Sequence, residues 1–584
     1  MREHLSLGNY LCLLALLFLS AALTLVLGRN EHFDFSQVQF LLHGLYAAFT
    51  GQYLPFGVEG GLWGNNPGVL SSWLVGFPFK LVSSSYAPLY LQVLLDVLAL
   101  ILMLRALTQL FAPRAVMLGA LFLTLGPWAL GTTGFNPAGF LSLGSALVLS
   151  SLVVLRRDRD LKISGLHRLV STLCLFLGLI WCLQVHSSWP VLWLMVLLLW
   201  LRRDISLSLV GLILGLILAG LSLAPYLAQV ASNPSLTNIT NAEQLEGYWG
   251  YGIVHVYPLL LGLLDVLRLG SLWGSPEVLL PVFSGQEGLI ATILGYGFIG
   301  LYWLVGLASL LVTASCAFFV LSRFSGGAAS GRLHLVRAIT LCALLSALLL
   351  AAAMPRVITT EDVVVLLPFA LLPLLAYFSV RAPGYKPFLV VSLVFMVLSL
   401  PVMALSSQRF NGTEGFHQQV YRSCLMAFPE QDCFAYGAAL PDDVRLNMAG
   451  SVSISEGLVA RVLQGQIPEP NQLAQIRAQR AERAAAAAAA VESGAEVTTT
   501  SAAGSASLPA AAPLPAAAPL PADAPLPADA PLAPQPTDTP LVSSTPLMES
   551  SGELKLESEA QQNEAPEGSV VDTGSGVTGE LIIN

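Results

Sequence analysis

Between the first two long apolar runs lies a stretch from Arg29 to Lys80 that holds Glu31, His32, Asp34, His43 and Glu59. Carboxylates and imidazoles are the side chains that move protons or hold cations near neutral pH. Asp34 leads the set. It stands a few residues beyond the first apolar run, between Phe33 and Phe35. An aspartate there can take the proton of an acceptor hydroxyl or hold a divalent cation, with Glu31 and His32 assisting. A structural reading stands beside it: Asp34 as the N-cap of a helix that starts near Ser36 and runs through SQVQFLLHGLYAAF. The stretch continues with Gly51, Tyr53, Pro55, Gly57, Gly60, Gly61, Gly64, Asn65, Asn66 and Pro67, a turn-rich set suited to a lined surface.

Other candidates are scattered. Asn136 lies in GTTGFNPAGF, and His186 closes the polar turn that begins at Gln184. Arg356 and Lys80 suit a phosphate, because cationic nitrogens bond its oxygens; each also reads as an interfacial anchor. Asp96 interrupts the apolar run YLQVLLDVLALIL. A carboxylate there is costly, so it faces the protein interior and bonds a neighbour, as structural glue or as part of a site. Cys424 and Cys433 are close enough in sequence to form a disulfide in an oxidising compartment. The other five cysteines sit in apolar runs and read as packing residues. Zinc-ligand spacing, a nucleotide-binding glycine loop, a Ser-His-Asp order and a nucleic-acid-binding basic patch are all missing from the sequence.

These residues need a membrane scaffold. The 584 residues are 55% hydrophobic and 11% charged, where a soluble domain carries roughly 25% charged residues. Mean hydropathy is +0.70. The fold class that follows is an all-α polytopic membrane protein. Apolar spans fall near 11–27, 87–104, 115–133, 138–155, 169–186, 188–201, 205–228, 292–322, 338–354, 363–380 and 388–405, about eleven transmembrane helices. The first reads as an uncleaved anchor, since VLGRNEHF offers no small-x-small cleavage site. With the N-terminus in the cytoplasm, fifteen Lys and Arg fall inside and only Arg29, Lys80, Arg268 and Arg356 outside, up to residue 405. The chemistry-bearing loops then share the outer face of a plasma membrane. Residues 259–273 read as a helix in the interface, as do helices in the first outside loop.

The organisation that results is a membrane domain over 1–405 and a small exocytoplasmic segment over 406–470. An Ala-rich helix follows over 471–492, then a disordered Ala/Pro-rich tail over 493–584, where LPAAAP and LPADAP recur.

The order of these features resembles a known family. The acidic residue after the first span, then GQYLPFG and NNPGVLSSWLVGFP, is similar to the GT-C-type integral membrane glycosyltransferases. The nearest branches are bacterial relatives of protein O-mannosyltransferases and of lipid A aminoarabinose transferase. GPWALGTTGFNPAGFLSLGSAL, LGLIWCLQVHSSWPVLWL and VVVLLPFALLPLLAY match later pieces of one such branch. The resemblance covers roughly residues 8–405 and departs from the family at two places. Phe35 stands where an acidic pair is common, and Asn136 stands where many members carry an acid. What it implies is a transferase that moves a sugar from a polyprenyl-phosphate donor to a glycan, lipid or protein acceptor, with inversion. Asp34 would be the catalytic base, with Arg356 or Lys80 on the donor phosphate and a divalent cation, if any, on Asp34. Two other classes fit the composition: a transporter or flippase for a lipid-linked saccharide, and a non-catalytic membrane scaffold.

Overall fold

Apolar runs of about 20 residues become helices in a bilayer because only a helix satisfies its own backbone there. The computed structural model of the chain follows this rule throughout. It describes residues 6–60, 64–157, 164–237, 256–274, 289–323, 331–354, 358–381, 384–406 and 415–455, with a few positions up to 465. Arg356, the Ala-rich segment 471–492 and the tail 493–584 lie outside the described residues.

The helices are α1 (Leu7–Arg29), α2 (Phe35–Thr50), α3 (Leu70–Leu81), α4 (Ala87–Leu110), α5 (Pro113–Leu125), α6 (Pro127–Gly131), α7 (Leu141–Leu155), α8 (Gly165–Val185), α9 (Trp189–Leu201) and α10 (Leu209–Ser232). Then come α11 (Val256–Leu269), α12 (Leu289–Arg323), α13 (Gly331–Ala353), α14 (Leu367–Ala370), α15 (Leu372–Val380), α16 (Tyr385–Ser406), α17 (Phe416–Ala427) and α18 (Asp442–Ser451). Among the described residues eight segments are long and apolar enough to cross a bilayer, and α7, α9 and α16 are shorter apolar helices. Together they coincide with the eleven spans read from the sequence. The protein is an all-α polytopic membrane protein.

Position in the bundle follows burial. The span Thr360–Val380, a 3-10 turn followed by α14 and α15, has 78% of its most apolar window buried and lies at the centre; α10, at 17%, lies at the perimeter.

The loops sort into two sets at opposite helix ends. At one end Arg114 donates to the carbonyls of Phe378 and Ser379, and Arg157 N–H donates to Asp204 O. At the other end the segments after α1, α3 and α6 meet α17, and the end of α8 meets Asn66. Such pairing requires an odd number of crossings between the N-terminus and the 415–455 segment, which eleven spans provide.

One element departs from the helical pattern. Within the turn-rich stretch, β1 (Phe56–Gly60) pairs antiparallel with β2 (Gly64–Pro67), Phe56 opposite Pro67 and Gly60 opposite Gly64. The register shifts between Phe56 and Glu59. Asn65 Nδ2 donates to Gly57 O at 2.9 Å and ties the ribbon across. Beyond the last span, α17 is joined to the following 3-10 turn by a disulfide between Cys424 and Cys433, Cα atoms 5.8 Å apart.

Candidate functional site

Glu31 is fully buried although it follows the first span by only two residues. Its Oε2 accepts the N–H of Phe135, in the loop between α6 and α7. Gly134 makes this approach possible. Its φ is +103°, and a Cβ there would overlap the Glu31 carboxylate. The Gly134 carbonyl in turn accepts from Gln92 Nε2 of α4, and Gln37 Nε2 of α2 donates to Phe135 O at 2.8 Å.

A third segment closes this hub. Gln419 of α17 donates from Nε2 to Glu31 O at 2.6 Å and accepts at Oε1 from Phe33 N–H at 2.6 Å. Below these bonds Phe33 stacks on Phe135 (5.6 Å) and meets Phe416 edge-on (5.1 Å); Phe135 meets Phe416 at 5.3 Å. Residues near 31, 135 and 419 are therefore one unit, and the segment after the last span is part of it. Sequence reading treated that segment as separate. The pattern Phe416-His417-Gln418-Gln419 on an amphipathic helix was the signal that it docks.

Asp34 stands at the rim of the hub. It is exposed and is the N-cap of α2: its Oδ1 accepts from Gln37 N–H and Ser36 Oγ, both at 2.8 Å, and its own N–H donates to Gln37 Oε1 at 2.7 Å. The capping box holds the carboxylate in one orientation. Oδ2 makes no hydrogen bond among the described residues. His32 beside it is exposed.

The remaining predicted residues take other places. Asn136 Oδ1 accepts from Gly139 N–H at 2.7 Å and shapes the loop start of α7. His186 is the C-cap of α8; its Nδ1 accepts from Ser188 N–H at 3.1 Å, and burial lowers its pKa to about 4, so the ring is neutral at physiological pH. Gln184, two residues earlier, holds the start of α3. Its Oε1 accepts from Leu70 N–H at 3.2 Å, and Ser71 Oγ donates to its backbone carbonyl at 3.0 Å. Lys80 is exposed in the last turn of α3 and lies 4.7 Å over the Tyr53 ring.

A basic residue that the sequence reading only counted is better placed than Lys80. Arg268 of α11 lies between two indoles, 5.5 Å from the Trp128 ring and 5.3 Å from the Trp273 ring. It pairs with Asp265 at 3.1 Å and donates to Thr360 Oγ1 at 3.3 Å. Its Nε and the Nε1 of Trp273 are buried donors with no hydrogen-bond partner among the described residues. Desolvation raises the pKa of Asp265, while Thr360 and Arg268 pull it down. The i,i+3 pair followed by Trp273 was the available signal. Arg356 lies outside the described residues.

The carboxylates do not make a cage for a divalent cation. Glu31 Oε2, Asp34 Oδ1 and Asn136 Oδ1 are each turned to a backbone N–H, whereas Mg²⁺ or Ca²⁺ needs several oxygens converging on one point. No group of three His, Cys, Asp or Glu suited to a metal occurs among the described residues.

No protein-family model and no curated protein matches the chain. Among solved structures it is similar to the archaeal oligosaccharyltransferase AglB from Archaeoglobus fulgidus in complex with an inhibitory peptide and a dolichol-phosphate. The TM-score is 0.38 and the identity 13%, over 79% of this chain and 65% of that one. The Archaeoglobus fulgidus oligosaccharyltransferase in complex with Zn and sulfate gives TM-score 0.36 and 12% identity, over 71% and 55%. Its apo form gives TM-score 0.36 and 12% identity, over 78% and 64%. The chain spans less than two thirds of the length of these structures. Its structural neighbours are thus archaeal oligosaccharyltransferases, at a similarity too low to transfer any residue or substrate.

Proposed function

We infer that the chain is an integral membrane glycosyltransferase of GT-C type, moving a sugar from a polyprenyl-phosphate donor to an acceptor hydroxyl at the outer face of the plasma membrane. The observation that carries this reading is Asp34. It is a carboxylate at the membrane end of the first span, fixed through one oxygen by a capping box and presenting the other. A base must be held within hydrogen-bond reach of the proton it takes, and a helix cap supplies that rigidity without burying the group.

In the reaction, Asp34 Oδ2 takes the acceptor proton as the acceptor oxygen attacks the anomeric carbon. The bond from that carbon to the phosphate oxygen breaks on the opposite face, which inverts the centre. Polyprenyl phosphate leaves with the bonding pair. Guanidinium groups suit the phosphate because they bond two oxygens at once. Arg268 and Arg356 are the candidates, with Lys80 a more exposed third. Glu31 holds the Asp34 loop against the Gly134 turn and takes no part in proton transfer. No step is routed through a metal. The acceptor is a glycan, a lipid or a protein, and nucleic acid has no part.

The test is glycoconjugate profiling by mass spectrometry in cells that lack the chain or carry Asp34→Asn. Asparagine caps a helix as well as aspartate, so the fold is kept while a base contribution of roughly 10²–10⁴ is removed. One glycoconjugate should lose a single sugar in both strains. A change in the deletion strain alone would take Asp34 out of the mechanism.

A further inference from the structure

A cavity of about 80 Å³ lies among α1, α4, α5, α6 and α7, separate from Asp34 and the Glu31 carboxylate. Asp96 lines it, well inside α4. Among the described residues Asp96 has one hydrogen-bond donor, Ser142 Oγ at 2.6 Å on Oδ1. A carboxylate within a membrane-spanning helix needs more than a single hydroxyl to stay charged.

Several hydroxyls of the wall have their hydrogens committed elsewhere, and Ser20 and Thr24 of α1 also line it. A hydroxyl has one hydrogen and two lone pairs. The hydrogen of Thr132 is directed to the carbonyls of Trp128 and Ala129, and that of Ser145 to those of Leu141 and Val365. Ser142 has given its hydrogen to Asp96. Their lone pairs remain for the cavity they line. Thr124, only 4% exposed and also lining it, has a buried hydroxyl with no partner among the described residues. The wall is thus a single negative charge among neutral hydroxyl oxygens.

That chemistry selects a cation of charge one. Divalent ions favour two or more carboxylates in the first coordination sphere, whereas one carboxylate and several hydroxyl oxygens balance an alkali ion. We propose that the cavity around Asp96 and Thr124 is a binding site for one sodium ion. The ion joins α1, α4, α5 and α7 by neutralising the carboxylate between them. This site goes beyond the transferase reading and stands without it.

The experiment uses the purified full chain in lipid nanodiscs at pH 8. Thermal unfolding is followed while sodium chloride replaces choline chloride at constant ionic strength, and bound radiosodium is counted. Wild type should gain about 3 °C or more in a saturable way and bind one sodium per chain. Asp96→Asn should lose both effects. Thr124→Val should raise the half-saturating concentration roughly tenfold. Equal midpoints in the two salts, or a sodium effect that persists in Asp96→Asn, would overturn the proposal. Should Asp96→Asn fail to fold, wild-type stoichiometry and Thr124→Val decide. Absent saturable binding, or an unchanged half-saturation in the valine variant, then rejects the site.

Discussion

The start and the middle of helix α2 place buried polar groups in opposite circumstances. At its start, Glu31, Gln37 and Gln419 each bond backbone groups of loops far away in sequence. In its middle, His43 is fully buried with neither ring nitrogen hydrogen-bonded among the described residues, its ring edge-on to Phe56 at 5.6 Å. Gln39 Nε2 and Ser72 Oγ are likewise without partners there. The difference is one of backbone. Loops offer N–H and C=O groups that no ladder has used, so side chains at a helix end find partners. Mid-helix, the neighbouring backbone is already bonded. Here α2 packs closely on α3, where Gly44 meets Val75 and Gly76 meets Ala47. The satisfied end is rigid and can orient chemistry; the unsatisfied middle stores a sensitivity to pH.

The largest expected effect comes from breaking the satisfied end at its tightest point. Gly134→Val forces a side chain into a left-handed backbone position against Glu31 and should cost about 3 kcal/mol or more. A thermal melt would read it. The same variant on a Glu31→Ala background should lose less than the two single losses summed, because the clash is then gone. Additive losses would disconnect the two residues.

The unsatisfied middle is tested by acid. Burial lowers the His43 pKa to about 3, so the unfolded chain binds a proton below about pH 6.5 that the folded chain refuses. Stability therefore falls as pH drops through the window from 6.5 towards 3. Between pH 6.5 and 5 the loss should be about 2 kcal/mol. His43→Leu should flatten this part of the pH–stability curve relative to wild type, and an unchanged slope would show that the ring accepts a proton in the folded state.

Smaller effects sharpen the contrast. Gln419→Leu removes both bonds to the Glu31 loop and should cost about 1–2 kcal/mol, measured by denaturant titration. It should also lower transfer without changing donor binding; if transfer is unaffected, the post-membrane helix is not a support of the site. Asp34→Asn should change stability by less than about 0.5 kcal/mol, since both residues cap well. With transfer abolished and the melt unmoved, chemistry and scaffold would be separated at one residue.

The eleven apolar helices could be read from the sequence because bilayer insertion is a local property. Each run of apolar residues must satisfy its own backbone wherever it packs. The capping role of Asp34 was visible too, from Ser36-Gln37 and the apolar pattern that follows. What could not be read was which loops touch. The sequence places Glu31 near Asp34, but not the Phe135 N–H that its Oε2 accepts, and only folding brings those two together. Gly134 carries no mark of its conformation until Glu31 is placed against it. The ribbon formed from a stretch rich in turn residues, because Asn65 and Asn66 supply cross-links that turn propensity does not encode.

Composition and periodicity determined the class of protein, the number of apolar helices and the residue types able to do chemistry. These depend on transfer free energies and on neighbours within a few residues. The tertiary structure alone decided which carboxylate is buried, which is presented, and which faces a cavity inside the membrane. Glu31, Asp34 and Asp96 are chemically near-equivalent in sequence. They differ in whether their surroundings are backbone N–H groups, solvent or hydroxyl lone pairs, and those surroundings come from segments up to 388 residues away.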